Sequence, residues 1–315
     1  MTKLSSFLKK NNDTGFGNDA DDYGGRFVNK DGSFNIKRVG VPFWEKFSMY
    51  HSMISIPTWQ FFSIIVISFV FLNLLFTVCF WLIGVPQFTG VLVDNEWLKF
   101  RELFFFSTET FSTVGYGRVN PVGGLANAFA AADALSGSLF FALVTGLMYG
   151  RFSKPKAYLS FSKKALITPY QNMTGLMFRM VSNKNRLLLT EVEIKVNISM
   201  LVEENGVKSY QFFNLPLERK NLDSLSLNLT VVHPIDADSP MKNMDLGEMK
   251  IADLEIHVLI KAYEDGYANI VLQRTSYTYD EIIFDAKFDK MYNEASDGAT
   301  TILHLDKLDS FKMLK

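Results

Sequence analysis

Thr113-Val114-Gly115-Tyr116-Gly117 decides how the rest of this chain is read. Its two glycines alternate with bulky residues. Only glycine adopts left-handed backbone without steric cost, so this spacing lets successive carbonyls turn toward one axis while Val114 and Tyr116 pack away from it. A row of such carbonyls, continued by the Thr113 hydroxyl, can replace the water shell of a bare cation. Irregular backbone survives at membrane depth only where protein encloses it or where it lines a cavity. What flanks the pentapeptide therefore matters as much as the pentapeptide itself.

On its N-terminal side, residues 59–84 are long enough, at 1.5 Å per residue, to cross a hydrocarbon core of about 30 Å. This run has no charge, Asn73 is its main polar intrusion, and Trp59 and Trp81 lie near its ends, where indole rings favour the headgroup level. On the other side, residues 122–149 are mostly Ala, Gly, Leu, Phe and Ser, with one charge, Asp133. Small residues suit close helix packing around a cavity. Lys30, Lys37, Arg38 and Lys46 precede the first span, and Arg151, Lys154, Lys156, Lys163 and Lys164 follow the second. Only Lys99, Arg101 and Arg118 lie between them. The positive-inside rule then puts both termini in the cytoplasm. Within residues 41–57, Trp44, Phe47, Tyr50 or His51, and Ile54 share a helical face, the pattern of an amphipathic helix lying on the cytoplasmic interface.

Residues 100–112 read as a short helix that aims the negative end of its dipole at the cavity, favouring a cation there. Helix, pentapeptide and spans together read as the pore domain of a potassium-selective channel, residues 58–152. The ion is held at Thr113, Val114, Gly115 and Tyr116, and four filter strands are needed to surround it, so each subunit requires three identical partners.

Beyond Pro155 the period changes to two. Val192, Ile194, Val196 and Ile198 alternate, as do Leu225, Leu227 and Leu229, and Leu254, Ile256 and Val258. Further strands are expected around 270–272 and 302–305, so residues 153–315 read as an all-β sandwich. No glycine-rich loop follows a strand and opens a helix, which argues against a nucleotide site. Residues 1–40 are polar, with Gly15, Gly17, Gly24 and Gly25. They lack the apolar centre of a signal peptide and read as a mobile cytoplasmic N-terminus. A formal charge of −1 supplies no basic field for nucleic acid. The single Cys79 has no partner for an internal disulfide. No pair of His or Cys has metal-ligand spacing, and nothing resembles a nucleophile beside its base. No enzyme activity and no cofactor are expected, with K+ present only as the permeant ion.

Four passages carry a resemblance to the inward-rectifier potassium channels, in particular their prokaryotic (KirBac-type) members. They are Thr108-Glu109-Thr110 before the pentapeptide; Arg151-Phe152-Ser153-Lys154-Pro155-Lys156; His233-Pro234-Ile235-Asp236-Ala237-Asp238-Ser239-Pro240; and Arg274-Thr275-Ser276-Tyr277-Thr278-Tyr279-Asp280-Glu281. The resemblance implies a bacterial inner-membrane protein with an immunoglobulin-like cytoplasmic domain that extends the pore and helps gate it, and a response to anionic lipid.

It also implies roles for single residues. Tyr149 falls where the family narrows its pore at the inner helix bundle, or else packs as an ordinary interfacial tyrosine. Gly137 matches an inner-helix glycine, serving either as a bending point or as a site of close packing. Phe141 stands where strongly rectifying relatives carry a carboxylate, which implies weak pore block. Asp133 either faces the cavity or braces the filter from behind. Glu109 and Arg118 match positions that brace the filter by an ion pair, although prokaryotic members often carry an acid where Arg118 stands; Arg118 either restores that pair or places a positive charge at the outer mouth. Lys46, Arg151, Lys154 and Lys156 are either an anionic-lipid site or solvated positive-inside charges. His233 and Asp236 belong to a structural loop. Two other readings remain: a two-span channel gated by a cytosolic ligand, and a non-conducting membrane-anchored sensor. The intact glycine pair argues against the latter.

Overall fold

The computed structural model describes residues 25–37, 39–40, 42, 48–184, 188–204 and 207–314. They divide into two units, residues 39–154 and residues 155–315 with the chain up to residue 38.

In the first unit, Ser48 opens helix α1 (Met49–Ser55) by accepting the His51 amide hydrogen on its hydroxyl. Pro57, which has no N–H to leave unsatisfied, stands ahead of α2 (Thr58–Ile83). Gly84, at φ 104°, ends that helix. Strand β1 (Phe88–Thr89) follows, then α3 (Glu96–Phe111), capped by the Asn95 side chain on the Trp97 amide. Helix α3 thus begins four residues before the expected start at 100, because a good cap and an acidic first-turn residue precede it. Strand β2 (Asn120–Pro121) pairs antiparallel with β1, and α4 (Gly124–Phe152) completes the unit. Helices α2 and α4 are both long and apolar enough to cross a membrane.

Phenylalanines hold α3 against the two long helices. Phe80, Phe88 and Phe106 form a mutual edge-to-face triad with centroids 5.2–5.5 Å apart. Phe111 meets Phe69 of α2 and Phe140 of α4, each at 5.5 Å. Such pairs add about 0.5–1.5 kcal/mol beyond the burial of their area.

The second unit is built on two five-stranded sheets with one core. Its strands are β3 (Leu159–Phe161), β4 (Ala165–Tyr170), β5 (Met173–Ser182), β6 (Leu189–Glu204), β7 (Val207–Asn214), β8 (Asn221–Leu225), β9 (Leu229–Ile235), β10 (Glu255–Glu264), β11 (Asn269–Thr278) and β12 (Ile282–Phe284). One sheet runs β11-β10-β6-β7 with β8 on β6; the other runs β12-β4-β5-β3 with β9 on β5. Two small antiparallel pairs, β13 (Ala286–Phe288) with β16 (Phe311–Met313) and β14 (Tyr292–Glu294) with β15 (Thr301–Leu303), lie beyond them. The period of two sets the register: Val196 and Ile198 on β6 face Val258 and Ile256 on β10 as Cα partners, and all four are buried. Leu176, Phe178 and Met180 of β5 enter the same core from the other sheet.

Two expectations fail here. Leu225, Leu227 and Leu229 do not form one strand; β8 ends at Leu225, β9 begins at Leu229, and Leu227 is exposed between them. A short helix, α5 (Leu246–Ile251), interrupts the β pattern, nucleated by a reciprocal Asp245/Glu248 capping box.

Nor are residues 25–37 free. Val28 bridges Phe34, and the buried Glu255 carboxylate accepts the amide hydrogens of Phe27 (2.8 Å) and Val28 (3.1 Å). Arg26 donates both terminal nitrogens to Glu281, at 3.1 and 3.0 Å, and Nη2 also donates to the Ser276 carbonyl at 2.8 Å. Lys30 lies 3.0 Å from Glu281 and 3.6 Å from the centre of the Tyr277 ring. The reading of residues 1–24 as mobile lies outside the described residues.

Lys30 gives this docking a pH dependence. Burial lowers its pKa from 10.5 to about 8, against the opposing pull of Glu281. Between those values the docked segment binds fewer protons than the released one, so docking tightens as pH rises through that window and is flat below it. A nitroxide label at Asp31→Cys, in a Cys79→Ser background, should gain immobile fraction from pH 8 to about 10. Lys30→Met should abolish that dependence. Loss of immobile fraction over the same range would contradict the assignment.

Candidate functional site

The pentapeptide is built on the end of α3. Ser112 caps the helix, its amide and hydroxyl both donating to the Thr108 carbonyl. The Glu109 carbonyl then accepts the amides of Val114 (2.9 Å) and Gly115 (3.1 Å). Beyond that anchor, Thr113, Gly115 and Gly117 have φ of 62°, 54° and 77°, while Val114 and Tyr116 do not enter the left-handed region. A regular strand turns successive side chains and carbonyls to opposite sides. A left-handed residue at every second position cancels that alternation, so carbonyls can line one axis. Glycine carries two of these positions without strain, and Thr113 is the exception.

Behind the pentapeptide, three helices each contribute buried polar residues. Ser107 Oγ of α3 donates to Asn73 Oδ1 of α2 at 3.2 Å; Asn73 Nδ2 donates to the Phe69 carbonyl and Thr77 Oγ1 to the Asn73 carbonyl. Asp133 of α4 lies beside Ser107, whose hydroxyl is already turned to Asn73. Asp133 is fully covered by its own chain, so its carboxylate does not face an open cavity. Of its two expected positions, the structure has the one behind the filter. Gly137, one turn on, is also buried, and a Cβ there would lie 1.8 Å from the Phe111 carbonyl. Close packing is what this glycine provides here: α4 passes the Phe111 carbonyl with no room for a side chain.

At the outer end, Arg118 reaches Glu102 rather than Glu109 within the chain. Glu109 contributes its backbone carbonyl to the filter, as described above. The pairing of Arg118 with Glu102 had no signal in the sequence.

On α4, Phe141 and Tyr149 are both exposed, on surface that their own subunit leaves open. Below them, Arg151 donates to the Thr58 hydroxyl (3.0 Å) and the Met53 carbonyl (3.4 Å) and lies over the Phe61 ring. Gly150 lies so close to α1 that a Cβ would stand 2.4 Å from the Tyr50 hydroxyl. Arg151 is therefore engaged in joining α4 to α1 and α2. Lys154 and Lys156 are exposed, and Lys46, Trp44 and Phe47 lie outside the described residues. In the other unit, His233 is buried and structural. Its Nδ1 donates to the Pro216 carbonyl (2.6 Å), so its Nε2 accepts from Ser239 Oγ (2.8 Å). Burial holds its pKa below the usual imidazole value. Asp236 accepts the Asp238 amide in the same loop.

Comparison with known proteins agrees with this geometry. A family model described as the inward rectifier potassium channel C-terminal domain matches residues 159–311, and one described as ion channel matches residues 67–154. The inward rectifier potassium channel Kirbac3.1 of Paramagnetospirillum magnetotacticum is 30% identical over 277 residues, 87% of this chain and 91% of the relative. ATP-sensitive inward rectifier potassium channel 14 of Homo sapiens is 26% identical over 298 residues, 84% of this chain and 65% of the relative, and the Mus musculus protein matches equally. Among solved structures, Spo0M, the sporulation control protein from Bacillus subtilis, covers 41% of this chain and 50% of its own at TM-score 0.24 and 8% identity, too low to carry an argument.

Gly137 offers a direct test of the packing behind the pentapeptide. Gly137→Ala forces α4 away from the Phe111 carbonyl, and overpacking of this kind costs about 1–3 kcal/mol. The variant should melt at lower temperature than the parent in detergent. Gly146→Ala, at a position with nothing within 4 Å of the added Cβ, should not. Equal melting of both variants would contradict the contact.

Proposed function

This chain belongs to the inward rectifier potassium channel family, and on that premise we propose that it is one subunit of a homotetrameric, potassium-selective channel that conducts passively across the membrane. The family is one of ion channels, not enzymes. K+ binds at Thr113, Val114, Gly115 and Tyr116 and needs no other cofactor. The observation that carries the tetramer is the exposure of the filter in a lone subunit, 79% for Tyr116 and 54% for Val114. Backbone and side chains of this kind must be enclosed at membrane depth, and burying each such side chain against a neighbour is worth about 1.5–3 kcal/mol.

Tyr149, exposed near the end of α4, narrows the pore where four copies converge and closes it by excluding water. The two-sheet unit is an immunoglobulin-like cytoplasmic domain that prolongs the pore and, with anionic lipid, sets the position of the gate. Lys46, Lys154 and Lys156 meet the headgroups, with Arg151 joining the foot of α4 to α1 and α2. Both termini are cytoplasmic, and the membrane is the bacterial inner membrane. Phe141 puts no charge in the cavity, so block by magnesium or polyamines is weak.

Liposomes holding the purified protein should take up rubidium in a barium-sensitive manner that sodium does not compete, and Gly115→Asp should abolish this uptake. Absence of uptake across several lipid compositions would favour a non-conducting sensor. Phe141→Asp should confer voltage-dependent block by internal magnesium in planar-bilayer recordings, steepening rectification relative to the parent. Identical current–voltage curves would remove Phe141 from the cavity.

A further inference from the structure

Glu102 is an acidic residue in the middle of α3, yet only 6% of it is exposed. A carboxylate loses several kcal/mol of hydration when buried, and a well-placed cationic partner offsets that loss. Two guanidinium groups do so here. Arg118 Nη2 meets Oε2, and Arg101 Nη2 meets Oε1 at 3.4 Å. Arg101 is its neighbour in sequence and half exposed. Arg118 comes from beyond the last filter residue, so this pair ties the pore helix to the outer end of the filter.

The segment after the filter is held at its backbone too. Asn120 Nδ2 donates to the Gly117 carbonyl at 2.6 Å, and β2 pairs with β1. Gly90, at φ 87°, approaches so closely that a Cβ would lie 1.8 Å from the Arg118 carbonyl. Gly117 itself has φ 77° and no side chain, so nothing intrinsic to it fixes the direction of its peptide plane. Its orientation comes from its neighbours.

We propose that Glu102 and Arg118 form an outer clamp that fixes the Tyr116–Gly117 carbonyls in the geometry of the outermost potassium site, making Glu102 a positioning residue for ion selectivity. The inference rests on the channel reading above. A site held too loosely accommodates ions of more than one radius, because its ligands follow the ion instead of waiting for it. Releasing Arg118 from Glu102 frees the peptide that presents the outermost carbonyls and admits sodium. The alternative role for Arg118 is a ring of positive charge at the outer mouth that repels cations, and that role makes no use of Glu102.

The test is barium-sensitive rubidium uptake into liposomes, with sodium as competitor, for the parent, Glu102→Gln, Arg118→Gln and the double variant, each checked for tetramer by size exclusion. The clamp predicts that either single variant lowers the sodium concentration for half-inhibition by roughly tenfold and that the double variant is no worse than either alone. Parent-like sodium sensitivity of Glu102→Gln, with Arg118→Gln only raising uptake, overturns the clamp in favour of the charge ring. No uptake by the parent protein overturns the channel reading itself, a separate result. If neither single variant assembles, the exchanged pair Glu102→Arg with Arg118→Glu decides. Recovery of assembly and of parent-like sodium sensitivity supports the clamp, and failure to recover overturns it.

Discussion

The Glu109 carbonyl accepts two amide hydrogens, from Val114 and Gly115, at the point where α3 gives way to the filter. Helix ends leave carbonyls without intrahelical partners, and here those partners are the first residues of the filter. The same interaction that finishes the helix starts the alternation of left-handed and ordinary backbone. Whatever positions α3 therefore positions the carbonyls. The phenylalanine contacts with α2 and α4, the Ser107–Asn73 bond and the bare face of Gly137 against Phe111 all act on α3, and each reaches the ion path through it.

The β-rich unit follows a different logic. Its hydrophobic alternation supplies one core between two sheets. Acids are used at its margin. Glu255 and Glu281 hold residues 26–30 against β10 and β11. Glu281 would be pushed up by burial, but the hydrogen bonds from Arg26 and Lys30 hold its pKa below the usual carboxylate range. It is thus an anion at neutral pH, and the family passage Arg274–Glu281 serves as the dock for residues 26–30.

What the sequence discloses and what it hides divide along one physical line. Glycine spacing, unbroken apolar runs and period-two strands are local properties, and the filter, both spans and the alternation that buries Val196, Ile198, Ile256 and Val258 were legible from them. Position opposite a distant residue is not local. Arg26 and Glu281 lie 255 residues apart, so the glycines and polar residues around Arg26 suggested mobility where a dock exists. Gly137 and Asp133 each allowed two roles until Phe111 and Ser107 were seen against them. Glu109 is the residue that resemblance selects as Arg118's partner; Glu102 is the one the fold brings within reach.

Gly150 and Arg151 have a mechanical consequence. The foot of α4 touches α1 through one close van der Waals approach, at Tyr50, and through a hydrogen bond from Arg151 to the Met53 carbonyl, with a second bond to Thr58 at the start of α2. Each hydrogen bond is worth about 0.5–1.5 kcal/mol net, close to thermal energy. The joint is stiff under compression, because the Gly150 backbone meets the tyrosine directly, and weaker under tension, where among the described residues these bonds and the stacking of Arg151 on Phe61 resist separation. It therefore works as a one-way coupling: a push of α1 toward α4 is transmitted, and a pull is released.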